Sequence, residues 1–235
     1  FRKAVEKGSL AEEDYSIYKM TLRFLSGAMG IHLNPNRTSL GTGIVHKWGF
    51  TKTVRESDKK IPDKILIVFD NPFGNWCDAS QLVYVPAINP DITVIHVQKA
   101  DRQGTCRMQG LTFAEVEQVK ASRRVIITCE ELVETETLRE KPDRNQIPFF
   151  CVDAVVPIPF GAYPTACFRY YDYDPVYLNN YRKAAQDDTR FQTYLNEFVL
   201  GVKHQDEFLN RVGRERIEKI KADPRTGYAV GLDRR

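Results

Sequence analysis

No stretch of this chain approaches the roughly 20 consecutive apolar residues of a membrane-spanning helix, so a helical span is excluded. The opening residues, FRKAVEKGSL, hold no apolar segment of the kind a signal peptide carries. Cysteine is sparse: Cys77, Cys106, Cys129, Cys151 and Cys167 make five, an odd number at wide spacing with no C-x-x-C. That argues against a disulfide framework and reads as reduced thiols in a cytoplasmic protein. His32, His46, His96 and His204 stand far apart, without ligand spacing, and no metal site is expected. Charge of one sign is also lacking. The net charge is +3 with Lys and Arg scattered, so neither nucleic acid nor a membrane surface is an expected partner.

Several catalytic signatures are missing as well. There is no Gly-x-Ser-x-Gly elbow, no phosphate-cradling G-x-x-x-x-G-K-[ST] and no G-x-G-x-x-G after a strand. Hydrolases of the α/β type, NTPases and dinucleotide enzymes lose their support accordingly. The chain also lacks an initiator Met and opens within a helical pattern, which reads as a fragment or a processed chain.

What is present is an ordinary globular composition, 42% hydrophobic and 28% charged over 235 residues. The length suffices for a core. With no repeat and no linker, one domain over 1–235 is expected. Residues 1–7 read as a helix that Gly8 ends, and Ser9-Leu-Ala-Glu12 fits a capping box for a second helix. Tyr18, Leu22, Leu25 and Met29 share one face of it and read as core, with Gly30 closing the helix. A polar loop, NPNRTSLGTG (34–43), follows. Short β-branched runs then read as strands: KILIVF (64–69), LVYVPAI (82–88), ITVIHVQ (92–98), RVIIT (124–128) and 153–157. The third is apolar enough to suit burial on both faces. Thr112-Phe-Ala-Glu115 fits a capping box for a helix to about 122. Strands alternating with helices indicate an α/β fold with an open, largely parallel sheet flanked by helices, and ligands gather beyond the carboxyl ends of such strands. VQKADRQG (97–104), CEEL (129–132) and PFGAYPTACF (159–168) lie there. Asp101 and Gly104 are expected to shape a tight turn. Glu130 and Glu131 serve as an acid or base, cap the next helix, or face a partner. Asp174 and Pro175 open a helical C-terminal region, with 191–202 and 206–212 as amphipathic helices. Asp172 is expected to cap, and the tail from 222 to lie on the surface.

In order along nearly the whole chain, several stretches resemble the alpha subunit of family I coenzyme A transferases. INPDITVIHVQKADRQG (88–104) resembles that family's signature. EDYS (13–16), DNPF (70–73), IITCEELV (126–133), IPFFCVDAVV (147–156), FGAYPTACFRYYDYD (160–174) and DEFLNRVG (206–213) resemble its glutaconate branch.

The resemblance implies an alpha–beta hetero-oligomer with the active site between the two kinds of chain. It implies a coenzyme A thioester as substrate and no permanently bound cofactor. A glutamate carboxylate would attack the thioester to give an acyl-glutamyl anhydride, then a glutamyl-CoA thioester, and a second, (di)carboxylic acid would take the CoA. That glutamate belongs to a Glu-x-Gly turn of the beta subunit. Here the one Glu-x-Gly, Glu6-Lys7-Gly8, reads as a helix end, so this chain is expected to supply no catalytic nucleophile. The family also carries an N-terminal stretch with a Gly-rich strand–turn. That stretch is absent here, and is expected either on another chain or as a part cut off or left out.

The resemblance also nominates substrate-binding residues. The loop with Arg37, Ser39, Gly41, Thr42 and Gly43 would face the acyl group, with backbone N–H groups for an oxyanion. Arg37 would pair a substrate carboxylate, or make a surface salt bridge. Gly161, Ala162 and Pro164 match a Gly-Ala-x-Pro turn at a strand's end. The rings that follow, Phe168, Tyr170, Tyr171 and Tyr173, are expected to line the cleft and pack on a neighbouring subunit. A thioester hydrolase or decarboxylase subunit on the same fold, and a non-catalytic scaffold, are the alternatives.

Overall fold

The computed structural model describes residues 1–45, 50, 52–57, 67–74 and 79–232. Cys77, His46 and positions 64–66 of the first predicted strand lie outside them. The fold is α/β, as expected. The chain forms two compact units: Phe1–Thr93 with Phe113–Arg124, and Val94–Thr112 with Val125–Arg235. Among the described residues no helix is long and apolar enough to cross a membrane.

In the first unit, α1 (Arg2–Glu6) ends at Gly8, whose φ of 67° suits glycine. The predicted capping box at Ser9 opens no helix. Its hydroxyl instead donates to Ala4 O, and α2 (Ile17–Met29) starts eight residues later from an N-cap at Ser16. Gly30 closes α2 in the left-handed region, as predicted. The buried face of α2 is not the expected one. Tyr18 and Met29 are exposed, while Lys19, Arg23 and Ser26 are buried. Both sets have helical spacing, so periodicity could not separate them. The polar face goes inward because its groups find partners: Arg23 Nε donates to Pro86 O at 3.1 Å and its guanidinium lies 4.2 Å from the Tyr15 ring centroid.

β1 (Leu33–Asn36), β2 (Val68–Asp70) and β3 (Gln81–Pro86) form an antiparallel sheet in the order β1-β3-β2. Residues 34–36, read from sequence as loop, thus belong to a strand. Val83, Val85 and Val45 centre a core with Tyr15, Leu22 and Leu40. α3 spans Lys52–Ser57 and α4 spans Glu115–Ala121. The second predicted capping box is also absent: Ala114 holds the N-cap position without a side-chain bond, and Glu115 accepts from Phe113 N instead.

The second unit is built on β4 (Thr93–Ala100), β5 (Cys106–Arg107), β6 (Val125–Leu132) and β7 (Ala154–Pro157), in the order β5-β4-β6-β7. β6 and β7 are parallel and β5 is an antiparallel edge. Thr93 N donates to Arg124 O and Val133 N to Ala100 O, an equal offset at both ends, so β4 and β6 also run together. Val97 and Ile127 are fully buried, but Val94 is exposed, so β4 is not covered on both faces along its length. Asp101 makes the predicted turn, its Oδ1 accepting from the N–H groups of Gln103, Gly104 and Thr105 at 2.9–3.0 Å.

A short α5 (Thr135–Arg139) precedes β7. The helical C-terminal region comprises α6 (Pro175–Ala184), α7 (Asp188–Leu195), α8 (Gln205–Val212) and α9 (Arg214–Ile220). Asp174 caps α6 as expected, accepting from Tyr177 N at 2.8 Å. Asp172 does not cap a helix. Its Oδ2 accepts from Ala229 N, which ties down a tail that the sequence suggested was superficial. Tyr163, Tyr171 and Tyr177 are buried with Ile217 and Ile220, backed by Phe198 and Phe208. The buried tyrosines therefore complete this chain's own core, where each large side chain contributes roughly 1.5–3 kcal/mol.

Candidate functional site

Side chains alternate along a strand, so Thr128 and Glu130 of β6 share a face, and His96 of the adjoining β4 meets both. His96 Nδ1 lies 2.9 Å from Thr128 Oγ1, and Nε2 lies 2.7 Å from Glu130 Oε1. The same Oε1 accepts from the Tyr171 hydroxyl at 2.6 Å, while Oε2 accepts from Phe160 N at 2.8 Å. Glu130 is buried and both its oxygens are engaged. It neither caps the next helix nor attacks a substrate as it stands. It holds the turn after β7, and burial together with Glu130 raises the Tyr171 hydroxyl above the usual phenol range.

The neighbouring pair repeats the pattern in a more open setting. Tyr170 OH donates to Glu131 Oε1 at 2.7 Å, and Lys99 Nζ lies 2.8 Å from Oε2. Partial burial works to raise the Glu131 carboxyl. The bonds from Lys99 and Tyr170 and the Lys99 charge outweigh it and hold the group below the ordinary carboxylate value. Glu130, Glu131, Phe160, Tyr170 and Tyr171 line a cleft of about 570 Å³ at the carboxyl ends of β4 and β6, where such sheets place their ligands.

The turn nominated from sequence is part of this arrangement. Gly161 lies against His96: a Cβ there would stand 2.8 Å from the ring's Cε1 and Nδ1. Ala162 N donates to Tyr171 Oη at 2.9 Å and is therefore engaged, and Pro164 follows a cis peptide bond. The other nominated group belongs to the first unit. Arg37 is exposed. Asn36 organises the loop, accepting from Thr38 N at 3.1 Å and donating to Val83 O at 3.2 Å. Ser39 and Gly41 have φ of 68° and 71°, and among the described residues their N–H groups make no hydrogen bond. Thr42 Oγ1 donates back to Ser39 O, and Gly43 opens a short 3-10 turn. Glu6-Lys7-Gly8 is a helix end, as read.

His96, Glu130 and Cys167 offer three donor atoms within 4.8 Å of one another. Burial, with Glu130 adding to it, pushes the Cys167 thiol up to about 12, so it is uncharged at neutral pH. With the other two donors engaged by protein groups, the set does not suit a metal as it stands. Sequence reasoning missed His96 and Tyr171 as site residues. The available signal was a polar residue at every second position of β4 and β6: His96 and Gln98, then Thr128 and Glu130.

A family model for coenzyme A transferases matches residues 1–157. The chain is 37% identical over 232 residues to the alpha-type subunit of glutaconate CoA-transferase from Acidaminococcus fermentans, covering 99% of this chain and 72% of that one. The chain belongs to the coenzyme A transferase family. The crystal structure of the glutaconate coenzyme A-transferase from that organism superposes with a TM-score of 0.90 over 99% of this chain and 72% of that one. The corresponding subunit of a 3-oxoadipate CoA-transferase from Pseudomonas knackmussii is 28% identical over 214 residues, covering 90% of this chain and 68% of that one. The chain is thus a CoA-transferase subunit of the alpha type. The fold also carries other chemistry: a decarboxylase, AibA/AibB, matches with a TM-score of 0.61 at 26% identity, over 83% of this chain and 65% of that one.

Proposed function

We propose that this chain is the alpha subunit of an enzyme that moves coenzyme A between an acyl-CoA and a small mono- or dicarboxylic acid, in a hetero-oligomer with a beta subunit. The likeness to the glutaconate CoA-transferase chain over 99% of this one carries the reading. The Glu130 geometry supports it from the opposite direction. A carboxylate whose two oxygens accept three hydrogen bonds is a poor nucleophile, so the attacking glutamate comes from the beta subunit. That carboxylate adds to the thioester carbonyl and expels CoA thiolate, leaving a mixed anhydride. The thiolate then attacks the glutamyl carbonyl, releasing the first acid and forming a glutamyl thioester. The second acid reverses these steps, so CoA is conserved and no water enters.

In this reading, the N–H groups of Ser39 and Gly41 are available to a developing oxyanion and Arg37 to a substrate carboxylate, with Thr42 and Gly43 shaping the loop. Gly161, Ala162 and Pro164 shape the turn at the cleft. The substrate is a CoA thioester and no resident cofactor is required. The free thiols of Cys106, Cys129 and Cys167 fit a cytoplasmic setting.

The test is co-expression with a beta subunit, followed by mass spectrometry of the acyl-CoA pool with and without a free acid. CoA appearing on the added acid, with a CoA adduct on the beta chain, supports the transferase. Free CoA formed without any acceptor favours a hydrolase, and loss of carbon dioxide from the acyl group favours a decarboxylase, the reaction named for the structural relative.

A further inference from the structure

Arg169 adopts a φ of 72°, a region that residues with a Cβ seldom occupy. Its surroundings impose this. Arg169 N donates to Gly227 O at 3.3 Å, and Phe168 O accepts from Gln98 Nε2 at 3.4 Å. The Phe168 ring sits directly over Gly227, where a Cβ would collide with it, and meets Tyr228 edge-on at 5.5 Å. The turn is therefore fixed on both sides, and it carries Arg169 to the rim of the 570 Å³ cleft. A strained position persists when neighbouring structure determines it and some use offsets the cost.

The charge arrangement shows what that use is. Three cations line the cleft: Lys99, Arg169 and Lys221. Lys99 is answered by Glu131 at 2.8 Å and Lys221 by Glu218 at 2.5 Å. Among the described residues, Arg169 has no carboxylate partner. Pro159 and Phe160 give the same cleft an apolar wall.

We propose that this cleft binds a small molecule through a carboxylate or phosphate group gripped by the Arg169 guanidinium, with Lys99 and Lys221 reinforcing the positive potential. The planar fork of Arg matches two oxygens of either group. The inference stands on the geometry of the cleft and not on the transfer reaction, because binding is read directly. Two sources share the chemistry: a carboxylic acid, or the phosphates of a nucleotide such as that in coenzyme A.

Isothermal titration of the full chain at low salt separates them, with glutarate, adenosine 3′,5′-bisphosphate and uncharged glutaramide as probes. One of the two anions is expected to bind and glutaramide to fail. Arg169→Gly, which suits a positive φ, is expected to weaken the anion roughly 10- to 100-fold, the effect of losing a charged hydrogen-bond donor. Arg169→Gln reads the same loss should the glycine variant not fold. Glutarate binding assigns the site to an acid and bisphosphate binding to a nucleotide. If neither anion binds at up to about 10 mM, or if the Arg169 variants bind as tightly as the parent, the proposal is overturned.

Discussion

Gly161 and His96 lie so close that a single added methyl on the glycine would stand 2.8 Å from two ring atoms. The His96 ring is itself held by Thr128 on one nitrogen and Glu130 on the other. It therefore cannot retreat without breaking a bond on strand β6. Gly161→Ala is expected to destabilise the protein by about 1–3 kcal/mol, the usual range for overpacking. Urea denaturation measures it, and an unchanged midpoint would show that the turn yields instead of the ring.

The Tyr171 hydroxyl donates to Glu130 and accepts from Ala162 N, so it links a strand to the turn after β7. Tyr171→Phe leaves a part-buried N–H and a buried carboxylate oxygen each short of a partner. The expected loss is about 1–3 kcal/mol. Tyr170→Phe, at a more open site, is expected to cost less, and comparing the two by denaturation checks the assignment.

Burial raises three thiols: Cys106 and Cys167 to about 12 and Cys129 to about 11, from an ordinary value of 9.0. At pH 8, iodoacetamide is expected to leave all three unmodified in the native protein and to label them in urea, read by peptide mass spectrometry. The sign of the linkage is fixed. A raised folded value gives stability that is complete below pH 9 and lost as pH climbs toward the folded value. Urea midpoints should therefore fall between pH 9 and 11, and fall less in Cys106→Ala.

The Glu131 carboxyl is shifted the other way. Partial burial opposes ionisation, yet the Lys99 and Tyr170 contacts prevail and lower it from 4.5. A lowered folded value contributes stability above pH 4.5 that is lost as pH falls through it. Glu131→Gln should flatten the acid limb of the stability curve below pH 4.5 while changing little at pH 7. The effect is small because nearly half of the side chain is exposed.

Asn36 joins the loop at 37–43 to β3 through Val83 O. Asn36→Ala is expected to cost about 1 kcal/mol and, under the proposed function, to raise KM for acyl-CoA more than it lowers kcat. Steady-state kinetics of the assembled enzyme would show the split, and an equal fall in both constants would argue for a role in the chemical step.

The sequence by itself determined the α/β class, the order of strands and helices, the ends of helices at Gly8 and Gly30, the Asp174 cap and the Asp101 turn. Each is decided by residues within about four positions of one another, where backbone conformation and side-chain reach are local matters. It also carried the family, because the motifs lie in order along the chain. Other features depended on distant partners. Ser9 and Thr112 fit the capping pattern, yet no helix starts at either, since a capping box is a preference that tertiary contacts override. Tyr18 and Lys19 are neighbours on one helix, and only the groups waiting at Pro86 and Tyr15 decided which face turned inward. His96, Glu130 and Tyr171 are separated by 34 and 41 residues. Only the parallel register of β4 on β6 brings the first two together. Only the turn at Gly161, too close to His96 to admit a Cβ, closes the third over them.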